Sequence, residues 1–270
     1  TERKVIMTFI AIVTFILGLC VGSFLNVCIY RIPLEKSIVS PPSSCPGCGN
    51  RLKAIDMIPV LSYILLKGKC RNCKAPISIQ YPLVELVTGI VWLVTFLRYG
   101  LSIETLMLIF LFTILIPVFL IDLVHMIIPN GLVITGLIGG AVFYLYHLFI
   151  KPISLYDSSH WSTPLIGMVS SSGILFLVAL LSFVIYKNDG GMGMGDVKIF
   201  LPIGLILGWK LSLLTLFASI MFGGITSIVL LILRIKDRKS AIPFGPFIVL
   251  ATFVCGMFGY NILNWYLGML

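Results

Sequence analysis

The chain has 270 residues, of which 59% are hydrophobic and only 11% charged, and its mean hydropathy is +1.11. A soluble domain carries about 25% charged residues, so this chain lacks the polar groups to cover a globule in water, while its 12% aromatics and lack of low-complexity tracts exclude a disordered or fibrous chain. The formal net charge of +9 would point to nucleic acid in a soluble protein, but in a polytopic membrane protein an excess of Lys and Arg on one side explains it first.

A spanning helix needs roughly 20 mostly apolar residues. The first apolar stretch, from Val5 to Tyr30, is too long for a signal-peptide core and has no small-residue cleavage pattern after it, so it reads as a retained span. Thr1 in place of Met suggests an edited amino terminus. Gly18 and Gly22 form a GxxxG that predicts close packing on a neighbouring helix. Residues 31–80 are the one long polar insert. Further apolar stretches follow near 82–97, 104–122, 131–150, 164–186, 197–209, 211–233 and 246–268, with a tight turn expected at Gly208-Trp209-Lys210. The expected architecture is an all-α polytopic membrane protein of about eight spans. Its organisation is a first transmembrane helix over 1–30, a loop subdomain over 31–80 and a helix bundle over 81–270.

Charge location gives the sidedness. If 31–80 is cytoplasmic, that side holds Arg31, Lys36, Arg51, Lys53, Lys67, Lys69, Arg71, Lys74, Lys187, Lys198, Arg234, Lys236, Arg238 and Lys239. Only Arg3, Lys4, Arg98, Lys151 and Lys210 fall on the other. Such a bias places both termini outside and removes the need for a nucleic-acid partner.

Cys45, Cys48, Cys70 and Cys73 form two C-x2-C knuckles. Two knuckles can set four thiolates tetrahedrally around one Zn²⁺, and Gly47 and Gly49 permit the tight turn that aims amides at sulfur. In a reducing cytoplasm the alternative, two disulfides or redox pairs, is disfavoured. Cys20, Cys28 and Cys255 lie in apolar spans and read as ordinary buried thiols. The apolar run Ile58-Pro59-Val60-Leu61-Ser62-Tyr63 lies between the knuckles, which argues for a small ordered subdomain on the cytoplasmic face.

Intramembrane carboxylates are costly and mark function. Glu2, Glu35, Asp157 and Asp237 fall in loops or tails, Asp56 suits a turn or cap, and Glu104 opens a helix. Glu85 lies about one turn into the second span and is a candidate for a substrate or supporting role. Asp122 ends one span and Asp196 opens another, at the same membrane boundary. Each lies beside helix-interrupting residues: Pro129-Asn130-Gly131 after the first, and Gly190 to Gly195 before the second. Two carboxyls in one wet pocket can share a proton, one acting as base on water and the other as acid. Gly193 and Gly195 would let an extended substrate backbone approach. Lys198 would hold a carboxylate ionised or snorkel to the interface, and His125 would share the Asp122 face on a continuing helix.

These residues resemble the type IV prepilin peptidases, membrane aspartic proteases with a GxGD motif. The likeness rests on Gly22-Ser23-Phe24-Leu25-Asn26-Val27, Tyr30-Arg31-Ile32-Pro33, the two knuckles, Ile58 to Tyr63, Tyr81-Pro82-Leu83-Val84-Glu85-Leu86, Ile121-Asp122 through Ile128-Pro129-Asn130, and Gly191 to Lys198. It implies that Asp122 and Asp196 are catalytic and that the basic leaders of prepilin or pseudopilin proteins are cut on the cytoplasmic side of a prokaryotic plasma membrane. It also implies the pilus and secretion setting of that family, and N-methylation of the new amino terminus with S-adenosylmethionine as a second activity. One departure is Gly190, with Asp189 beside it, where many members have an acidic residue. The competing readings are another GxGD intramembrane protease, an ion-coupled transporter and a zinc-dependent membrane scaffold.

Overall fold

The computed structural model describes residues 2–157, 160–186, 193–234 and 242–269. Lys187, Asp189, Gly190, Gly191, Met192, Lys236, Asp237, Arg238 and Lys239 lie outside the described residues, and the expectations attached to them stop there. The elements are α1 (Glu2–Arg31), α2 (Leu61–Leu65), α3 (Gln80–Tyr99), α4 (Ile103–His125), α5 (Asn130–Phe149), α6 (Ser162–Tyr186), α7 (Met194–Ile232) and α8 (Gly245–Leu267), with short 3-10 turns between some of them. All but α2 are long and apolar enough to cross a membrane. Their outer faces agree with that: α6 alone exposes Phe176, Leu177, Leu180, Leu181, Phe183, Val184 and Ile185, a surface that water would not tolerate and lipid would.

The chain divides into two compact units, Thr1–Thr105 and Leu106–Leu270. In the N-terminal unit α1 and α3 are antiparallel partners along a seam of glycines. A Cβ at Gly18 would meet Gly89 Cα at 2.8 Å, and one at Gly22 would meet Glu85 Cα at 2.7 Å. The expected GxxxG contact is therefore real, and it works because the two backbones approach closer than any side chain allows. Asn26, 4% exposed, reinforces the seam. Its Nδ2 donates to Tyr81 O at 3.0 Å and to Gly22 O at 3.3 Å.

In the C-terminal unit the buried stripe of α4 runs Met107, Leu108, Leu111, Leu115, Val118, Ile121, a 3.6-residue period. The buried residues Ile199, Phe200, Ile203, Ile206 and Leu207 of α7 and Ile248, Ala251 and Cys255 of α8 complete the core of this unit, and Phe112 of α4 meets Phe253 of α8 with ring centroids 5.2 Å apart. Gly136 and Gly140 of α5 sit against Pro202 and Leu205.

The 39-residue α7 holds two of the expected apolar stretches. Among the described residues, seven helices are long and apolar enough to cross a membrane. In α7 the stretches 197–209 and 211–233 form one run broken at Gly208 (φ 75°, ψ 176°), where the tight turn was expected, so its two arms agree with the expectation of about eight spans. Gly208 reverses the chain. Gly195 touches Ile128 and Gly223 lies against Phe244 and Phe247, whereas Gly208 lies against Tyr156 and Leu211 against Gly259. Both arms thus start and finish at the Asp196 end and meet at Gly208. The positive φ explains why glycine stands there, and a Cβ would also meet Tyr156 Cδ1 at 3.1 Å.

Candidate active site and metal centre

Asp122 and Asp196 both extend the buried stripes of their helices by one step, Asp122 after Val118 and Ile121, Asp196 before Ile199 and Phe200. They are 5% and 9% exposed. The segments that carry them meet, with Gly195 against Ile128. Asp196 is the third residue of α7, whose N-cap is Gly193, and its N–H donates to Gly193 O at 3.1 Å. Asp122 is at the C-terminal end of α4, where its own helix offers no free donor. Another helix supplies one: Gly245 N–H, at the start of α8, donates to Asp122 Oδ2 at 2.8 Å. Two helix N-termini therefore converge on the pair, the end of a helix at which negative groups are held best.

Gly245 was missed by sequence reasoning. A Cβ there would lie 2.6 Å from Asp122 Oδ2 and 2.9 Å from its Cγ, so the position admits no side chain. The available signal was Pro243-Phe244-Gly245-Pro246, a glycine at a helix start flanked by prolines.

The other expected site residues have these places. Gly195 faces Ile128, where a Cβ would come within 3.1 Å, so its absence of a side chain serves packing between the two Asp-bearing segments. Among the described residues a Cβ at Gly193 would meet only Asp196 Oδ2, at 3.6 Å. Lys198 is exposed, and its Nζ donates to Asn130 Oδ1 at 3.2 Å, tying α7 to the start of α5 and leaving the carboxyls alone. His125 is the last residue of α4, is exposed, and makes no hydrogen bond to Asp122 among the described residues; Met126, with φ 55°, ends the helix directly after it. Glu85 belongs to the N-terminal unit, where its Oε2 accepts from Val60 N–H at 2.7 Å.

In the loop, the Sγ atoms of Cys45, Cys48, Cys70 and Cys73 all lie within 4.8 Å of one another. Cys45 Sγ and Cys73 Sγ are 3.7 Å apart, close to the edge of about 3.8 Å of a tetrahedron with Zn–S near 2.3 Å. All seven cysteines are free thiols. The knuckles are built alike: Gly49 N–H donates to Cys45 O and Lys74 N–H to Cys70 O, with left-handed φ of 69° at Gly49 and 59° at Lys74. Gly49 thus makes the turn, while Gly47 admits Ala75, whose Cβ would be 3.2 Å from a Cβ at that position. The backbone N–H groups of Cys73 and Asn72 bring the Cys70 thiol down to about 6, while at Cys48 the pull of the Asn50 N–H is outweighed by burial and the neighbouring Cys73 and Cys45 sulfurs, which push that thiol up to about 11. Asp56 has the expected turn role. It accepts from Lys53 N–H at 3.3 Å and from Arg71 Nε at 2.7 Å, and the Arg71 guanidinium holds its carboxyl below the usual range.

These features define a class, a multi-pass helical membrane protein with a four-cysteine loop and a buried carboxyl pair. Residues 16–99 match the Bacterial Peptidase A24 N-terminal domain, and residues 105–228 match the Type IV leader peptidase family. A prepilin leader peptidase/N-methyltransferase of Bacillus subtilis (strain 168) is 34% identical over 95% of this chain and 98% of its own. Proteins of the same name from Aeromonas hydrophila (33%) and Pseudomonas aeruginosa (32%) each align over 94% of this chain and 92% of their own. The chain belongs to the type IV leader peptidase family. No solved structure matches it. Family membership sets aside the transporter and the scaffold, which explain neither match.

Proposed function

We propose that this protein is a membrane aspartic endopeptidase that removes the leader from prepilin-like proteins and then N-methylates the new amino terminus, as the names of its relatives describe. The observation that carries the proteolytic half is the bond from Gly245 N–H to Asp122 Oδ2 beside Asp196. One oxygen of Asp122 is occupied by the amide, which leaves the other to take a proton from the attacking water. Asp196 supplies the proton that the peptide carbonyl gains as the tetrahedral intermediate forms. In its collapse Asp122 passes its proton to the leaving amine as the C–N bond breaks. A hydroxyl of the intermediate returns a proton to Asp196 as the carbonyl re-forms, which restores the pair. Gly193, which lacks a side chain beside Asp196, lets an extended substrate backbone approach the carboxyls.

The four cysteines fit zinc by donor chemistry and by their spacing, and a closed four-thiolate site has a structural role. S-adenosylmethionine is the methyl donor this reading requires. The membrane is a prokaryotic plasma membrane with the carboxyl pair facing the cytoplasm, a reading supported by the excess of Lys and Arg in the loops assigned to that side.

The test is cleavage of a prepilin by purified wild type, Asp122→Asn and Asp196→Asn, with the mass of the mature amino terminus taken with and without S-adenosylmethionine. Each variant is expected to lose about 10²–10⁴-fold or more in rate, and a gain of one methyl group is expected only with the donor. Cleavage at the wild-type rate by either folded variant refutes the dyad.

A further inference from the structure

Between its two knuckles the N-terminal unit carries an apolar surface that the fold leaves uncovered. From Met57 to Leu66 there are ten residues without a charge. At their centre is α2, and Ile58, Leu61, Ile64 and Leu65 are 42, 50, 63 and 70% exposed. Leu61, Ile64 and Leu65 are spaced i, i+3, i+4 and so share one face. A five-residue helix does not persist by itself; this one is fixed at both ends. Val60 enters it through a positive-φ γ-turn (φ 60°, ψ −48°), closed by Leu61 N–H to Pro59 O at 2.5 Å, a strained form for a β-branched residue. The Val60 N–H is held by Glu85 Oε2, and Gly68 N–H closes the far end on Tyr63 O at 2.9 Å.

The Glu85 bond also sets the depth of α2. Glu85 is five residues past the start of α3, roughly 7 Å along the helix axis. α2 therefore begins level with the second turn of a membrane span instead of projecting beyond it. Helices that lie in the interface plane sit about 5–10 Å into the headgroup–acyl boundary. Exposed Lys53, Lys67 and Lys69 flank the apolar face, while the nearest acid, Asp56, is paired with Arg71.

We propose that α2 is an interfacial anchor for the metal loop, with Ile58, Leu61, Ile64 and Leu65 seated in the headgroup–acyl boundary and Lys53, Lys67 and Lys69 holding anionic lipid headgroups. Charge selects this occupant. Residues 32–79 hold seven basic against two acidic side chains, which attracts an anionic lipid surface and repels a basic leader peptide. By seating the loop at both its covalent ends and at its middle, the anchor fixes the four-cysteine site at a constant height above the bilayer.

The test is site-specific photocrosslinking of the full-length protein in vesicles. A photoreactive side chain is placed at Ile64, at Leu65 and, as a control, at the exposed knuckle residue Asn72, with prepilin present. The vesicles are phosphatidylcholine alone or phosphatidylcholine with about 30% phosphatidylglycerol, and the anionic lipid is expected to raise the yield at least about threefold. Lipid adducts at 64 and 65, about fivefold or more above those at 72, are the expected result. Adducts to prepilin or to a second copy in place of lipid overturn the proposal, as does a yield equal to that at 72. Equal yields in the two vesicle types overturn the headgroup contacts. Should a label at 64 or 65 expose the knuckle thiols to maleimide, the same probe at Leu61 replaces it.

Discussion

At the scale of single residues, the position that governs the carboxyl pair is one without a side chain. Gly245 does two things for Asp122: its N–H donates to Oδ2, and its missing Cβ leaves room for that oxygen. Gly245→Ala is expected to push the carboxyl off its position and lower cleavage by about 100-fold, with helix content unchanged by circular dichroism; a variant of near wild-type rate would refute the role. Glu85 makes a different kind of contact, accepting a backbone N–H from a strained residue. Its amide analogue can still accept. Glu85→Gln is therefore expected to keep the wild-type melting temperature, whereas Glu85→Ala leaves Val60 N–H without its partner and costs about 1–3 kcal/mol. Faster amide exchange over 58–66 in the alanine variant alone is the local check. A loss equal in both variants would show that charge, and not the acceptor, is what matters.

At the scale of elements, the loop and the helices have separate sources of order. The helices of each unit are held by apolar and glycine-lined contacts, while the loop has almost no apolar core of its own and is held by two matched knuckles around four sulfurs. Metal removal by a chelator is thus expected to open the loop and make its four thiols reactive to maleimide. Far-ultraviolet circular dichroism is expected to change little, since the long helices do not depend on the metal. Loss of helix on chelation would place the metal in the bundle's stability instead. The break in α7 is an element-scale feature too. One glycine with φ 75° turns a run of 39 residues into two arms that run in opposite directions, at the Gly208-Trp209-Lys210 turn that the sequence had marked.

At the scale of the whole molecule, the distribution of nineteen Lys and Arg residues gives the proposed orientation. In that proposed orientation the ends of α4 and α7 that carry Asp122 and Asp196 face the basic side, and Lys151 and Lys210 the other. Lys210 is engaged there by Asp157, so the outer turn is pinned by an ion pair at the base of the α7 reversal. Protease sites inserted at Asn72 and at Lys151 are expected to be cut from opposite sides of sealed vesicles. Cutting of both from one side would invert the reading of the charge bias.

Composition and spacing by themselves determined that the chain is a helical membrane protein, that four cysteines share one site, and that Asp122 and Asp196 are the carboxyls to watch. Each of those is a local property: charge density, a two-residue gap in a knuckle, an acidic residue at the end of an apolar stripe. The span boundaries followed to within a few residues for the same reason. What the tertiary structure alone decided is who touches whom over long separations. Gly245 meets Asp122 across 123 positions, Lys198 turns to Asn130 and not to a carboxyl, His125 faces outward, and Glu85 braces the loop. No periodicity encodes such pairs, because they depend on how whole helices stack and on which glycines let backbones meet.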